Sequence, residues 1–204
     1  MAWSLEYMYR CKVSKQQSLI LKLDFEKTFD TVEHSVILLM LQHLGFPSKW
    51  VNWTRAVLSS AHSAVLLNGL PGKFFHCKRG VRQGDLLSPL LFVIVADLLQ
   101  HITNQATRLG FIKAPICHPA SNDFPIIQYA DDTMVFLHAD QKNIFFKSLI
   151  NSFSMSTGLK VNYSKSSLIP INILEPNAQV LAGKFGCKLE FFPLHLSGLA
   201  FGSS

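Results

Sequence analysis

Two segments of the chain carry patterns of apolar and polar positions that are typical of β-strands. In residues 19–24, three leucines share one face of a predicted strand, while Ile20, Lys22 and Asp24 share the other. The segment IIQYADDTMVF, residues 126–136, places two adjacent acids between two short apolar runs. Neighbouring strand residues face opposite ways, so adjacent acids converge only at a tight turn. The pattern predicts a hairpin with an acidic tip.

Segments with helical periodicity lie between these strands and after them. Apolar residues three and four apart predict helices over residues 31–44, 47–59, 89–106, 141–157 and 177–185. Gly45 and Gly158 are predicted to end two of them. The remaining predicted elements are strands at 62–67 and 73–78 around the turn sequence NGLPG, an irregular stretch at 110–124, and a strand at 159–170. This order predicts an α+β fold in which an antiparallel sheet is backed by helices and leaves the acids at an open cleft.

Composition and charge narrow this picture modestly. The chain has 204 residues, of which 49% are hydrophobic, which is enough for the core of a single globular domain, residues 1–204. Its formal charge of +6 suits a polyanionic partner. A basic balance alone more often serves solubility, so the local cluster of Lys78, Arg79 and Arg82 is the stronger indication of phosphate binding.

The cysteines and the apolar runs argue against a disulfide-bonded secreted protein, a zinc protein and a membrane-spanning protein. Four cysteines are widely scattered without a CxxC pair, so reduced, mostly buried thiols are predicted. His76 and His118 each adjoin a cysteine, but they are interpreted as packing or surface residues rather than zinc ligands. The longest apolar run, residues 89–96, is too short to span a bilayer, and no secretory signal opens the chain. An intracellular protein is expected.

Asp131 and Asp132 at the hairpin tip, together with Asp24 at a strand end, are the candidate chemical groups. Two carboxylates about 4 Å apart repel by roughly 4 kcal/mol at an effective dielectric near 20, so they should hold a proton or a metal ion. Oxygen ligands without nearby Cys or His favour magnesium over zinc. An Asp-Asp dipeptide by itself is more often a solvated turn. The three acids together suit two magnesium ions and phosphoryl transfer.

A basic loop with two glycines precedes the predicted helix at residues 89–106. Ser88 and Pro89 suit its N-cap and first helical position. Gly80 and Gly84 allow a close approach of the backbone to a ligand, and the neighbouring cations suit phosphates. An ordinary capped helix start remains the alternative interpretation of the loop alone.

In this order, the segments resemble the reverse transcriptase domain of non-LTR retrotransposons, the long interspersed elements, and particularly their plant members. LKLDFEKTFDTVEH is similar to the first palm motif, KRGVRQGDLLSPLLF to the second and QYADDTMVF to the catalytic hairpin. STGLKVNYSKSSLIPIN is similar to the fourth motif, and FPLHLSGLAFG looks like an altered primer-grip segment. The resemblance extends from about Leu19 to the last residues. It implies a polymerase palm with fingers and thumb largely missing.

The resemblance also implies the roles of the three acids. Asp24, Asp131 and Asp132 match the metal-binding carboxylates, with the Phe25 backbone carbonyl assisting. The implied reaction is RNA-directed DNA polymerisation. A primer 3′-hydroxyl, activated by one of two magnesium ions, attacks the α-phosphate of a deoxynucleotide on an RNA template, and pyrophosphate leaves on the other ion.

Further roles follow from the same resemblance. Phe29 matches the residue that packs under the incoming sugar and rejects a ribose 2′-hydroxyl, although a core aromatic is the alternative. Gln83 and Gly84 match residues lying against the nucleotide and template, and Arg82 would position phosphates. The general acid that protonates pyrophosphate is assigned first to Lys165, with Lys160 as the alternative. An ordinary surface cation is the competing interpretation of either lysine.

Two departures from the family pattern bear on function. Leu86 stands where many relatives have proline, and HLSGLAFG replaces a sequence more like TYLGLPLG, which alters the sequence of the primer-grip turn. We expect the isolated chain to be weak or inactive unless another polypeptide supplies fingers and thumb. The alternative functions are a catalytically inactive retroelement remnant that binds nucleic acid weakly, and an RNA-templated RNA polymerase, which Phe29 disfavours. The resemblance further implies a nuclear location.

Overall fold

A computed structural model of the chain describes residues 2–116, 123–129, 132–140, 143–191, 194–196 and 199–201. The chain divides into two compact units. The first unit comprises residues 1–26, 99–152 and 161–204, and the second comprises residues 27–98 and 153–160. The prediction of a single domain over residues 1–204 stays a prediction.

Helices and strands occur throughout the described residues, which gives the predicted α+β composition. The helices are α1 (Ala2–Val13), α2 (Thr28–Thr31), α3 (His34–His43), α4 (Ser48–Ser59), α5 (Ser88–Arg108), α6 (Asn143–Thr157) and α7 (Glu175–Phe185). The strands are β1 (Ser18–Asp24), β2 (His62–Ser63), β3 (Leu66–Leu67), β4 (Leu70–Pro71), β5 (Phe75–His76), β6 (Ile126–Tyr129), β7 (Asp132–His138), β8 (Ser167–Ile171), β9 (Lys188–Leu189), β10 (Leu194–Leu196) and β11 (Leu199–Phe201).

A five-stranded sheet with the order β6-β7-β1-β8-β9 forms the centre of the first unit. Strand β1 pairs antiparallel with both β7 and β8, and β6 pairs antiparallel with β7. The short β9 is parallel to β8, so the sheet departs from the predicted antiparallel arrangement at this edge. Both faces of β1 are buried between Leu19 and Leu21, which is why its apolar run is nearly continuous.

Helix α1, which the sequence analysis did not predict, covers one face of this sheet. Tyr7 and Cys11 are fully buried and pack with Ile20, Met134 and Phe136. The rings of Tyr7 and Phe136 meet edge to face at 5.1 Å between centroids. Apolar residues are spread around this helix instead of forming a single stripe, so no helical period marks it in the sequence. Its position depends on tertiary packing, where each large buried side chain contributes about 1.5–3 kcal/mol.

The predicted helix over residues 31–44 is wrong in its first turn. Val32 and Glu33 are extended, with ψ angles of 127° and 125°, and they separate α2 from α3. Glu33 instead pairs with Arg79 and donates its N–H to the Thr157 carbonyl at 2.9 Å. These non-local hydrogen bonds replace intrahelical ones, so tertiary structure overrides the helical pattern.

The strand predicted over residues 159–170 is also too long. Val161 forms only an isolated bridge with Phe25, and β8 begins at Ser167. The Asn162 side chain accepts hydrogen bonds from the Ser164 hydroxyl and the Lys165 N–H, at 2.7 and 3.2 Å. An Asn side chain that bonds its own downstream backbone stabilises a turn, which interrupts the strand.

The predicted strand pair around NGLPG becomes two short ladders, β2–β5 and β3–β4. Asn68 and Gly69, with φ of 50° and 82°, lie between β3 and β4 as in a tight primed turn. The helices predicted at 47–59, 89–106, 141–157 and 177–185 are confirmed over their described residues, as is the hairpin of β6 and β7.

Three described cysteines are free thiols, of which Cys11 is buried and Cys77 and Cys187 are partly exposed, so the predicted burial is present only at Cys11 among these three. Burial raises the pKa of both Cys11 and Cys187 to about 11, so these thiols stay neutral near pH 7. Cys117 and His118 lie outside the described residues. None of the helices that the structure describes is long and apolar enough to cross a membrane.

Candidate active site

Asp24 and Asp132 lie directly opposite each other on neighbouring strands of the first unit. Asp24 is the last residue of β1, Asp132 is the first of β7, and the two are register partners. Directly opposite residues of antiparallel strands have Cβ atoms about 4.5–5.5 Å apart and point to the same face. The strand register therefore places Asp24 and Asp132, which are 108 residues apart in sequence, at opposing positions. Asp131 lies outside the described residues, and its assignment stays a prediction.

Lys22 supplies a positive charge next to this acidic pair. Its Nζ lies 3.6 Å from Oδ1 of Asp132, and the two side chains are only 21% and 18% exposed. Lys22 is the register partner of Met134, so its contact with Asp132 is a diagonal one on the shared face. Partial burial limits screening by solvent, so this charge offsets part of the repulsion between the carboxylates.

The turn at residues 162–166 holds the Asp24 backbone from the other side of β1. The Asp24 N–H donates to Oγ of Ser166 at 3.1 Å, and the Asp24 carbonyl accepts from the Asn162 N–H at 2.8 Å. Oγ of Ser166 in turn donates to the Asn162 carbonyl at 2.8 Å. Ser166 is fully buried. These two positioning residues were missed from the sequence, where the segment NYSK drew attention only to its lysine.

Phe25 and Lys165, the other described residues predicted for the site in this unit, are close in sequence to Asp24 and to the turn at residues 162–166. Phe25 is buried, and its backbone pairs with Val161. The Lys165 side chain is exposed, while its N–H donates to the Asn162 carbonyl at 3.1 Å. Lys160, the alternative general acid, is exposed and belongs to the second unit.

The carboxylate pair fits a hard divalent cation. Both side chains are partly exposed and offer only oxygen ligands. Magnesium keeps several waters and binds through one or two protein carboxylates plus substrate phosphates, so two opposed aspartates suffice on the protein side. Across the described part of the chain, no group of three or more His, Cys, Asp or Glu residues could hold a metal ion. A zinc site with a full set of protein ligands is therefore absent from that part.

In the second unit, Phe29 stacks on Phe92 with ring centroids 5.2 Å apart and an interplanar angle of 28°. Phe29 is half-buried, so one part of its ring packs in the core while another part remains accessible. The two interpretations of Phe29, core aromatic and sugar contact, are therefore compatible. Stacking on Phe92 fixes the orientation of the ring.

The loop before α5 is tied to the chain around Phe29. The Val81 N–H donates to the Phe29 carbonyl at 2.6 Å, and the Gly80 N–H donates to the Val32 carbonyl at 2.7 Å. A Cβ at Gly80 would lie 2.6 Å from the Asp30 carbonyl oxygen. Gly80 thus allows close approach to the chain's own backbone, which corrects its interpretation as a ligand-contacting glycine.

Arg82, Gln83 and Gly84 form an exposed turn after this anchored segment. The Asp85 N–H donates to the Arg82 carbonyl at 3.3 Å, and Gly84 has φ of 87° with no other atom within 4 Å of a built Cβ. This is the geometry of a type II turn, which requires glycine at its third position. The side chains of Arg82 and Gln83 and the backbone of Gly84 are therefore accessible to a ligand.

Replacing Lys22 with methionine is expected to destabilise the metal-free protein by about 1–2 kcal/mol, because the opposed carboxylates lose a partly buried counter-charge. Magnesium should recover more stability in this variant than in the wild type. Thermal unfolding with and without magnesium measures both effects, and Lys12→Met, at an exposed lysine, is the control. Equal destabilisation by both substitutions would contradict the counter-charge role of Lys22.

Comparisons with known proteins indicate the family of this chain. Residues 4–175 match the family model described as reverse transcriptase (RNA-dependent DNA polymerase). The chain is 31% identical over 121 residues to a retrovirus-related Pol polyprotein from the type-1 retrotransposable element R2 of Popillia japonica, covering 59% of this chain and 19% of the polyprotein. It is also 33% identical over 110 residues to an uncharacterized mitochondrial protein of Arabidopsis thaliana, covering 50% of this chain and 84% of that protein.

Among solved structures, the fold is similar to apo telomerase from Candida tropicalis truncated from its C-terminal domain. The TM-score is 0.61 at 14% identity, over 84% of this chain and 35% of the telomerase chain. This likeness confirms the predicted fold class, while the resemblance to plant members in particular stays a prediction. The match over residues 4–175 shows that the chain belongs to the reverse transcriptase family.

Proposed function

We propose that this chain is an RNA-directed DNA polymerase domain of a non-LTR retroelement. It would transfer a nucleotide from a deoxynucleoside triphosphate to the 3′-hydroxyl of a DNA primer paired with an RNA template. The observation that carries the proposal is the opposition of Asp24 and Asp132 across two paired strands in a chain of this family. The chain covers 19% and 21% of the two retrotransposon R2 polyproteins of Popillia japonica that it matches, so this activity is proposed for the segment itself.

The carboxylates of Asp24 and Asp132, with Asp131, would hold two magnesium ions, and the Phe25 carbonyl would assist. When bound, such ions lower the pKa of the primer hydroxyl and neutralise the charge of the departing pyrophosphate. The reaction forms a bond between the primer 3′-oxygen and the α-phosphorus, and it breaks the bond from that phosphorus to the oxygen bridging to the β-phosphate. Asn162 and Ser166 fix the Asp24 backbone, which keeps its carboxylate oriented.

Lys165 is proposed as the general acid that protonates the pyrophosphate, with Lys160 as the alternative. Support for Lys165 comes from its place in the turn that binds the Asp24 backbone, because this turn lies in the same unit as the carboxylates. Its ammonium group is exposed, so it can contact a phosphate without first breaking a buried ion pair.

In the second unit, Arg82, Gln83 and Gly84 are proposed to bind the incoming nucleotide and the template. Their turn is exposed and its start is anchored by the hydrogen bonds of Gly80 and Val81. An accessible arginine and a glycine backbone suit phosphate oxygens. The net charge of +6 supports a nucleic-acid partner, and a nuclear location stays part of the proposal.

Replacing Phe29 with alanine is expected to lower discrimination against ribonucleotides at least about tenfold, because the proposed barrier to the 2′-hydroxyl is steric. The ratio of kcat/KM for deoxynucleotide and ribonucleotide incorporation measures this change. Phe92→Leu is the control, since it loosens the stacking partner but retains the Phe29 ring. An unchanged ratio in a folded Phe29→Ala protein would leave Phe29 as a core residue only.

Primer extension on an RNA template tests the proposed function. Extension with magnesium and deoxynucleotides, lost in Asp132→Asn, would establish the activity and exclude a contaminating polymerase. No extension by a folded sample that binds a primer–template duplex would instead support the non-catalytic remnant. Equal incorporation of ribonucleotides would support the RNA polymerase alternative.

A further inference from the structure

His62 and His76 face each other across a short ladder in the second unit. They are register partners in the antiparallel pair β2–β5, so their side chains lie on the same face. Their Nε2 atoms are 3.1 Å apart, and their ring centroids are 3.8 Å apart. Both residues are exposed. Neither histidine has a role in the proposed polymerase reaction.

A backbone carbonyl fixes the protonation of the first imidazole. Nδ1 of His62 lies 2.8 Å from the Ser60 carbonyl oxygen. A carbonyl oxygen can only accept, so Nδ1 carries the proton in this hydrogen bond, and Nε2 of the neutral ring holds a lone pair. That lone pair is directed to Nε2 of His76, which donates to it. A carbonyl bound to the distal imidazole nitrogen is the arrangement that commonly orients histidine ligands of metal ions.

We propose that His62 and His76 form a binding site for a divalent transition-metal ion such as Zn²⁺ or Ni²⁺. Zinc–nitrogen bonds of about 2.0–2.1 Å place two imidazole nitrogens of a tetrahedral site about 3.3 Å apart, close to the separation found here. Binding moves the His76 proton from Nε2 to Nδ1 and rotates the rings so that both lone pairs meet the ion. Exposure allows this rotation and leaves the remaining coordination positions to water.

The site differs in chemistry from the carboxylate pair. Imidazole nitrogens prefer transition metals, whereas opposed carboxylates prefer magnesium. The neighbouring thiol is not a third ligand. Cys77 directly follows β5, and its Sγ lies 3.2 Å from Oγ of Ser63, a residue that alternates to the opposite face of the ladder from the histidines. A bound ion would join the two ends of the segment 62–76 and stabilise its short ladder.

Calorimetric titration with nickel chloride tests the proposal in the presence of excess magnesium, which fills the carboxylate pair and competes poorly for imidazole. We expect one nickel ion per chain. His62→Gln and His76→Gln should each weaken nickel binding at least about tenfold, since either variant leaves one ligand. His43→Gln, at another exposed histidine of the second unit, should bind nickel as the wild type does.

A repeat with zinc chloride and Cys77→Ser separates the imidazole pair from the adjacent thiol, and circular dichroism confirms that each variant is folded. Unchanged affinity in both His62→Gln and His76→Gln would overturn the proposal, as would loss of zinc binding in Cys77→Ser alone. A rise in the unfolding temperature with nickel that disappears in both histidine variants would support it independently of polymerase activity.

Discussion

Replacing Asp24 with asparagine is expected to lower the rate of primer extension at least about a thousandfold, equivalent to about 4 kcal/mol of transition-state stabilisation. Asparagine keeps the shape of the side chain but loses the negative charge that would hold a cation. The backbone of residue 24 should stay in place, because the Ser166 hydroxyl and the Asn162 N–H bind main-chain atoms. The loss should therefore appear in kcat.

The same substitution should stabilise the metal-free protein by up to about 1 kcal/mol, because like charges directly opposite on neighbouring strands repel. Magnesium at ten times its dissociation constant stabilises a binding protein by about 1.4 kcal/mol, and this increment should be smaller in Asp24→Asn. Glu26→Gln, which removes an exposed acid two residues away, is the matched control. Equal magnesium stabilisation of Asp24→Asn and wild type would contradict the metal-binding role, even in a sample with slow turnover.

Local patterns in the sequence were sufficient to predict the elements that carry the acids. The leucine alternation of β1 and the apolar runs flanking the acidic tip are strong strand signals, and β1, β6 and β7 are all present. Helix ends were predictable where glycine must adopt positive φ, as at Gly45 and Gly158. These features depend on neighbouring residues, which a single sequence displays directly.

Features set by distant contacts were not predictable in the same way. The pairing of Glu33 with Arg79 interrupts a helical pattern. The hydrogen bonds of Ser166 and Asn162 with the Asp24 backbone join residues more than 130 positions apart. The opposition of His62 and His76 likewise depends on strand register, which the turn between them sets. Strand register and long-range hydrogen bonds produce no periodic pattern in a single sequence, so only the structure shows which of these residues are in contact.

Replacing Gly158 with alanine is expected to destabilise the protein by about 2–5 kcal/mol, for two separable reasons. Gly158 has φ of 80°, a left-handed conformation that costs a residue with Cβ about 1–2 kcal/mol. In addition, the new Cβ would lie 2.1 Å from the Thr31 carbonyl oxygen, a backbone atom that cannot move without its chain. The neighbouring Thr157 carbonyl accepts the Glu33 N–H at 2.9 Å, so displacement of this turn also strains the junction between α2 and α3.

Gly45→Ala separates these two contributions, because Gly45 also follows a helix with φ of 78° but has no other atom within 4 Å of a built Cβ. We expect Gly45→Ala to cost only the conformational part, about 1–2 kcal/mol. For a chain of this length, each kcal/mol lowers the unfolding temperature by about 2–4 °C, so calorimetry resolves the difference. If both variants lose the same stability, close packing of Gly158 against Thr31 does not contribute. A larger loss in Gly158→Ala means that glycine is required there by the approach of two backbones as well as by its φ angle.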